Sequence, residues 1–84
     1  MYTDIIHLII RNKENVLYDA DVSAVSGING KGPFDILPHH ANFISVIEKY
    51  IVIHEANGKT NQMKIEVGVM HVHEGTIDVY LSER

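Results

Sequence analysis

The chain has 84 residues, 45% of them apolar and 21% charged, a composition that fits one small globular domain and excludes disordered, collagen-like and low-complexity chains. Its formal net charge of −4 lacks the basic surplus that phosphate backbones demand, which sets nucleic acid aside as a partner. With no cysteine, neither a disulfide framework nor a thiolate zinc site supplements a core that a chain of this size builds by burying about 60–65% of its unfolded surface.

Apolar residues recur with a period of two rather than 3.6, which reads as all-β. Residues 1–4, Met-Tyr-Thr-Asp, have no basic region ahead of a long apolar core and do not read as a secretory signal. Residues 4–11 form the first expected strand, with Ile6, Leu8 and Ile10 on one face and Ile5, His7, Ile9 and Arg11 on the other. Its apolar run, residues 5–10, is broken by His7 and is far shorter than the roughly 20 residues of a membrane-spanning helix. Residues 12–15 are a turn, and residues 16–18 and 21–26 are two brief strands, the second placing Val22 and Ala24 on one face and Ser23 and Val25 on the other. Gly27, Gly30 and Gly32, ending at Pro33, mark a shaped loop rather than a strand interior.

Residues 34–37 are a short extended piece halted by Pro38, which has no ladder donor. Residues 42–48 and 49–55 are two further strands, Ile44 and Val46 opposing Phe43, Ser45 and Ile47 in the first. Asn57-Gly58 predicts a two-residue type I′ hairpin, because both residues take positive φ at low cost. Its partner strand, residues 60–67, has Met63, Ile65 and Val67 on a buried face and Gln62, Lys64 and Glu66 on a wet one. Residues 69–73 and 76–81 flank Glu74-Gly75, a second tight hairpin. The result is about nine strands with almost no helix, closed as a sandwich of two antiparallel sheets packed face to face.

The histidines invite a metal or acid–base reading. His71 and His73 share one strand face, as a paired metal site requires, yet no third or fourth ligand stands at a matching spacing, and half-exposed strand histidines are the commoner case. His39-His40 beside Pro38 has the right ionisation range for proton transfer near neutral pH. No nucleophile accompanies the pair: Ser23, Ser26, Ser45 and Ser82 lie in no nucleophile elbow. The glycine cluster at residues 27–32 lacks the lysine–hydroxyl pair and the following helix of a phosphate loop.

Residues 27–44, G-I-N-G-K-G-P-F-D-I-L-P-H-H-A-N-F-I, resemble the Gly-rich loop, short strand and turn of the N-terminal domain of ATP synthase epsilon (delta-type) subunits. H-L-I-I at residues 7–10, D-A-D-V-S-A-V at residues 19–25 and I-E-V-G-V-M-H-V at residues 65–72 flank it in the order of that family. The resemblance covers essentially the whole chain. Departures are His39 and Asp35 where the family usually has glycine, and a single glycine, Gly68, where it usually has two.

The resemblance implies one flattened antiparallel β-sandwich domain of about nine or ten strands over residues 1–84, without the family's C-terminal helical hairpin, and a non-catalytic, cofactor-free subunit of a rotary proton-translocating ATP synthase. It would bind the gamma subunit and the c-ring, transmit rotation between them, and lie peripheral to the membrane through the ring, on the cytoplasmic face of a bacterial inner membrane. Carried over residue by residue, Lys31, Gly32, Pro33 and Phe34 would face the ring, and Asn12, His40 and Ser45 the gamma subunit. The alternative in a different class is a stand-alone small-ligand or metal-binding β-module, resting on histidine density alone.

Overall fold

The computed structural model describes residues 5–39 and 41–82. Six strands follow one another: β1 (Ile6–Arg11), β2 (Val16–Asn29), β3 (Gly32–Ile36), β4 (Phe43–Glu55), β5 (Thr60–His73) and β6 (Thr76–Ser82). They hydrogen-bond in the order β1-β6-β5-β4-β2-β3, and β1 pairs with β2 as well, so the sheet closes on itself. The closed sheet is flattened to 43 × 27 × 22 Å, a sandwich whose two layers are halves of one sheet. Every pairing is antiparallel except β1 with β6, which run parallel.

All six strands contribute to a single core. Ile6, Leu8 and Ile10 of β1 meet Val22 and Val25 of β2, Ile36 of β3, Ile47, Ile51 and Ile53 of β4, Met70 and Val72 of β5, and Ile77, Val79 and Leu81 of β6. Each such side chain, fully buried, contributes about 1.5–3 kcal/mol by leaving water. No polar or charged residue lies among the buried ones described.

Six strands replace the expected nine or ten because segments that look separate in the sequence are continuous. Residues 16–18 and 21–26 are parts of β2, residues 42–48 and 49–55 make β4, and residues 60–67 and 69–73 make β5. Bulges interrupt the alternation along them. The register of β2 against β4 shifts between Val22 and Ala24, and that of β4 against β5 shifts between Glu48 and Tyr50, beside Lys49 at φ 75°. An extra residue in one strand reverses which side chains point inward. Val22 and Val25 are therefore both buried, although strict alternation sets them on opposite faces, and Val67 is exposed although alternation groups it with the half-buried Met63 and Ile65.

The glycine cluster is not a loop. β2 runs through Gly27 to Asn29, only Gly30 and Lys31 turn, and β3 begins at Gly32. What Gly27 supplies is room: a Cβ there would stand 3.1 Å from Cζ of Phe34, its cross-strand partner, whose ring covers the glycine.

Of the two expected tight hairpins, the one at Glu74-Gly75 forms as expected and the one at Asn57-Gly58 differs in turn type. At Asn57-Gly58 the Gly58 amide donates to the Glu55 carbonyl at 3.0 Å and the Glu55 amide to the Lys59 carbonyl at 2.8 Å. Only Gly58 in this turn has positive φ, 92°, so the loop has three residues, Ala56 to Gly58, closed by a glycine bulge rather than a two-residue type I′ turn. The two-residue turn with positive φ at both positions is at Glu74 (46°) and Gly75 (80°). His39, standing where the resembling family has glycine, takes φ 69°.

Candidate docking surfaces

The β2–β3 hairpin carries four of the residues singled out by resemblance. Asn29 Oδ1 accepts from the Lys31 amide at 2.8 Å, which tightens the turn, and Gly32 follows at φ 119°. Lys31 and Pro33 are exposed. Phe34 is half-buried, over Gly27 and with its centroid 5.4 Å from that of Phe43.

Ser45 belongs to the same neighbourhood. Its hydroxyl accepts from Asn29 Nδ2 at 3.1 Å and donates to the Val46 carbonyl at 3.0 Å. Asn29, Gly30, Lys31, Phe43, Ile44, Ser45 and Val46 thus line an open cleft of about 460 Å³ between the hairpin tip and the start of β4. Asn12 does not join it. It sits in the β1–β2 turn, at the other end of β2, where its Oδ1 accepts from the amides of Glu14 (2.9 Å) and Asn15 (2.8 Å). His40 lies outside the described residues.

Beside the cleft lies an apolar band that alternation by itself left unassigned. Val46 pairs with Val69 and Val69 with Tyr80, so the three share the outer face of β4, β5 and β6. Ile44 and Val67 extend the row, and the five are 39–67% exposed. The signal was present in the sequence: β4 is apolar on both faces at residues 43–47, and a chain this small has only one interior to hide a face in.

Two polar clusters join side chains of catalytic or metal-ligating type. Ser26 Oγ lies 2.6 Å from Asp35 Oδ1 and 2.9 Å from His54 Nε2. The carboxylate only accepts, so the single hydroxyl proton goes to Asp35 and His54 must donate to Ser26. That order is the reverse of a nucleophile with its base, and the chain is a polar tie across β3, β2 and β4. His71 and His73 are stacked, centroids 4.5 Å apart with 29° between planes; His73 faces Asp78 at 3.3 Å, and Arg11 reaches the same carboxylate at 3.8 Å. Among the described residues no group of three or more His, Cys, Asp or Glu is placed to hold a metal ion.

The family model of the ATP synthase delta/epsilon chain β-sandwich domain matches residues 5–83. The ATP synthase epsilon chain of Campylobacter concisus is 31% identical over 75 residues, which are 88% of this chain and 58% of that one. That of Sulfurovum sp. is 32% identical over 72 residues, 84% of this chain and 56% of the relative. The chain thus spans little more than half the length of these relatives. Among solved structures, a chain of the Euglena gracilis mitochondrial ATP synthase, from an OSCP/F1/c-ring assembly, superposes with a TM-score of 0.89 at 20% identity, over 99% of this chain and 54% of that one. A chain from the central stalk and c-ring of the Tetrahymena thermophila enzyme gives 0.73 at 13% identity, over 92% and 63%. At these identities the structural likeness speaks to the fold.

Proposed function

Because the chain belongs to the family of ATP synthase delta/epsilon chain β-sandwich domains, we propose that it is a coupling piece of the central stalk of a rotary, proton-translocating ATP synthase. As a single domain it binds the gamma subunit and the c-ring and transmits rotation between them, making and breaking no covalent bonds itself. It reaches the membrane only through the ring, at the cytoplasmic face of a bacterial inner membrane; no helix among the described residues is long and apolar enough to cross one.

The observation that carries this reading, beyond family membership, is the uncovered apolar band of Ile44, Val46, Val67, Val69 and Tyr80 beside the cleft of Lys31 and Ser45. Exposed apolar side chains that are contiguous across three strands mark a surface built to be covered by a partner. Lys31, Gly32, Pro33 and Phe34 form the ring-facing end, with Phe34 serving as support under the hairpin as well as contact. Asn12, His40 and Ser45 are assigned to the gamma side. The test is capture of the purified cognate gamma subunit and c-ring by the chain. Val46→Glu and Lys31→Glu should each weaken capture while melting stays unchanged, and undiminished capture by both variants, at low and moderate salt, sinks the assignment.

A further inference from the structure

β1 and β2 meet at the seam that closes the sheet, with His7 opposite Asp21 and Ile9 opposite Asp19. Ile6 and Leu8 point into the core, so the His7 ring stands on the outer face between the two aspartates. Its Nδ1 lies 2.7 Å from Asp21 Oδ1 and its Nε2 2.7 Å from Asp19 Oδ1. An ionised carboxylate can only accept, and a neutral imidazole has one N–H to give. Two short contacts to two acceptors therefore require the doubly protonated ring. We propose that His7, Asp19 and Asp21 form a proton-dependent clasp across the β1–β2 seam, in which the imidazolium ties both carboxylates and loss of one proton releases one of them to solvent.

The neighbouring charges favour the closed form. On the other side of β1, β6 places Thr76 opposite His7 and Asp78 opposite Ile9. Asp78 is engaged by Arg11 at 3.8 Å and His73 at 3.3 Å, and Glu74 lies in the adjoining hairpin. The Asp21 hydrogen bond, then that of Asp19, raises the His7 pKa above its ordinary 6.5, against a smaller opposing desolvation. A pKa raised on folding adds stability that is complete below 6.5 and is lost as pH climbs through the folded value. The His7 amide also donates to the Gly75 carbonyl at 3.0 Å, and that bond is indifferent to the ring proton. Opening the clasp therefore leaves β1 in its register while the outer seam loses a tie and gains one net negative charge.

The experiment is a nitrogen-15 NMR titration of the His7 ring in the wild-type chain, Asp19→Asn, Asp21→Asn and the double variant, from about pH 5 to about pH 9. The clasp requires a wild-type pKa above 6.5, a fall in each single variant, and a return to the ordinary value in the double variant. Both ring nitrogens should be protonated at the acid end with slowed proton exchange. A wild-type value at or below the ordinary one, or a raised value that survives loss of both carboxylates, overturns the proposal. Melting of His7→Gln against wild type adds a second measure, since the difference must shrink from about pH 6 to about pH 9 and be reduced by salt; a pH-independent difference counts against the clasp. None of these readouts depends on the stalk assignment.

Discussion

The outer face of β1 and β2 and the outer face of β4, β5 and β6 belong to the same closed sheet and solve exposure in opposite ways. On the first, His7 is held between Asp19 and Asp21, and Arg11 reaches Asp78 of β6. Its polar groups satisfy one another. On the second, Ile44 and Val46 stand 67% and 60% exposed, with Val69 and Tyr80 beside them. A strand that pairs its own charges has no need of a partner, whereas one that leaves β-branched side chains in water gains only when something covers them. Val16 and Leu17 at the start of β2 are exposed too, but only the β4–β6 band is continuous across three strands, and it is the surface proposed here for docking.

The largest effect should come from the layer the two faces share. Ile51 is fully buried, and Ile51→Ala should cost about 2–5 kcal/mol in denaturant unfolding; a smaller loss would mean the core beneath the bulge is looser than the packing indicates. Next is Gly68, buried on β5 directly under the apolar band. A Cβ there would stand 2.9 Å from both Leu81 Cδ2 and the Tyr80 carbonyl oxygen, so Gly68→Ala should destabilise by roughly 1–3 kcal/mol, lowering Tm by several degrees. An unchanged midpoint would mean that β5 and β6 can separate locally, which would weaken the case for a rigid docking face.

Substitution on the band itself sharpens the contrast most. Val46→Glu should change folding stability by less than about 0.5 kcal/mol, because an exposed position away from special features rarely does more, while binding to a gamma–c-ring assembly falls. Lost folding with it would return Val46 to the core and remove the distinction between the faces. The smallest effect is expected on the charged face. His7→Gln should lower Tm slightly below pH 6.5, by an amount that shrinks as pH rises above it, since exposed ion pairs are weak and screened by salt.

The alternation of Ile6, Leu8 and Ile10 against His7 and Ile9, and of Ile44 and Val46 against Phe43, Ser45 and Ile47, was enough to establish an all-β chain and which side chains share a face, because a side chain's face depends only on its position in a period of two. The motif of residues 27–44 with its flanking strands was enough to identify the family. Lys31 and Ser45 were both singled out, but their shared cleft depends on Asn29 reaching across from β2, a contact between residues 16 positions apart. The Ser26–His54–Asp35 tie and the His7 clasp lay out of reach for the same reason: each joins side chains from different strands whose register is set by pairing.

What the sequence by itself determined is the local arithmetic: strand character, which side chains share a face within an uninterrupted segment, and the turns at residues 12–15, 57–58 and 74–75. Tertiary structure alone decided that neighbouring segments fuse into β2, β4 and β5, that β1 closes the sheet by running parallel to β6, and that Val25 goes inward while Val67 stays out. Bulges at Ser23 and across β4–β5 bring about those last changes. A bulge relieves the mismatch between two twisted strands, so its place is set by partners distant in the chain. The turns obey the same limit. Asn57-Gly58 and Glu74-Gly75 both permit positive φ, but whether two or three residues form the loop depends on the register of the strands they join.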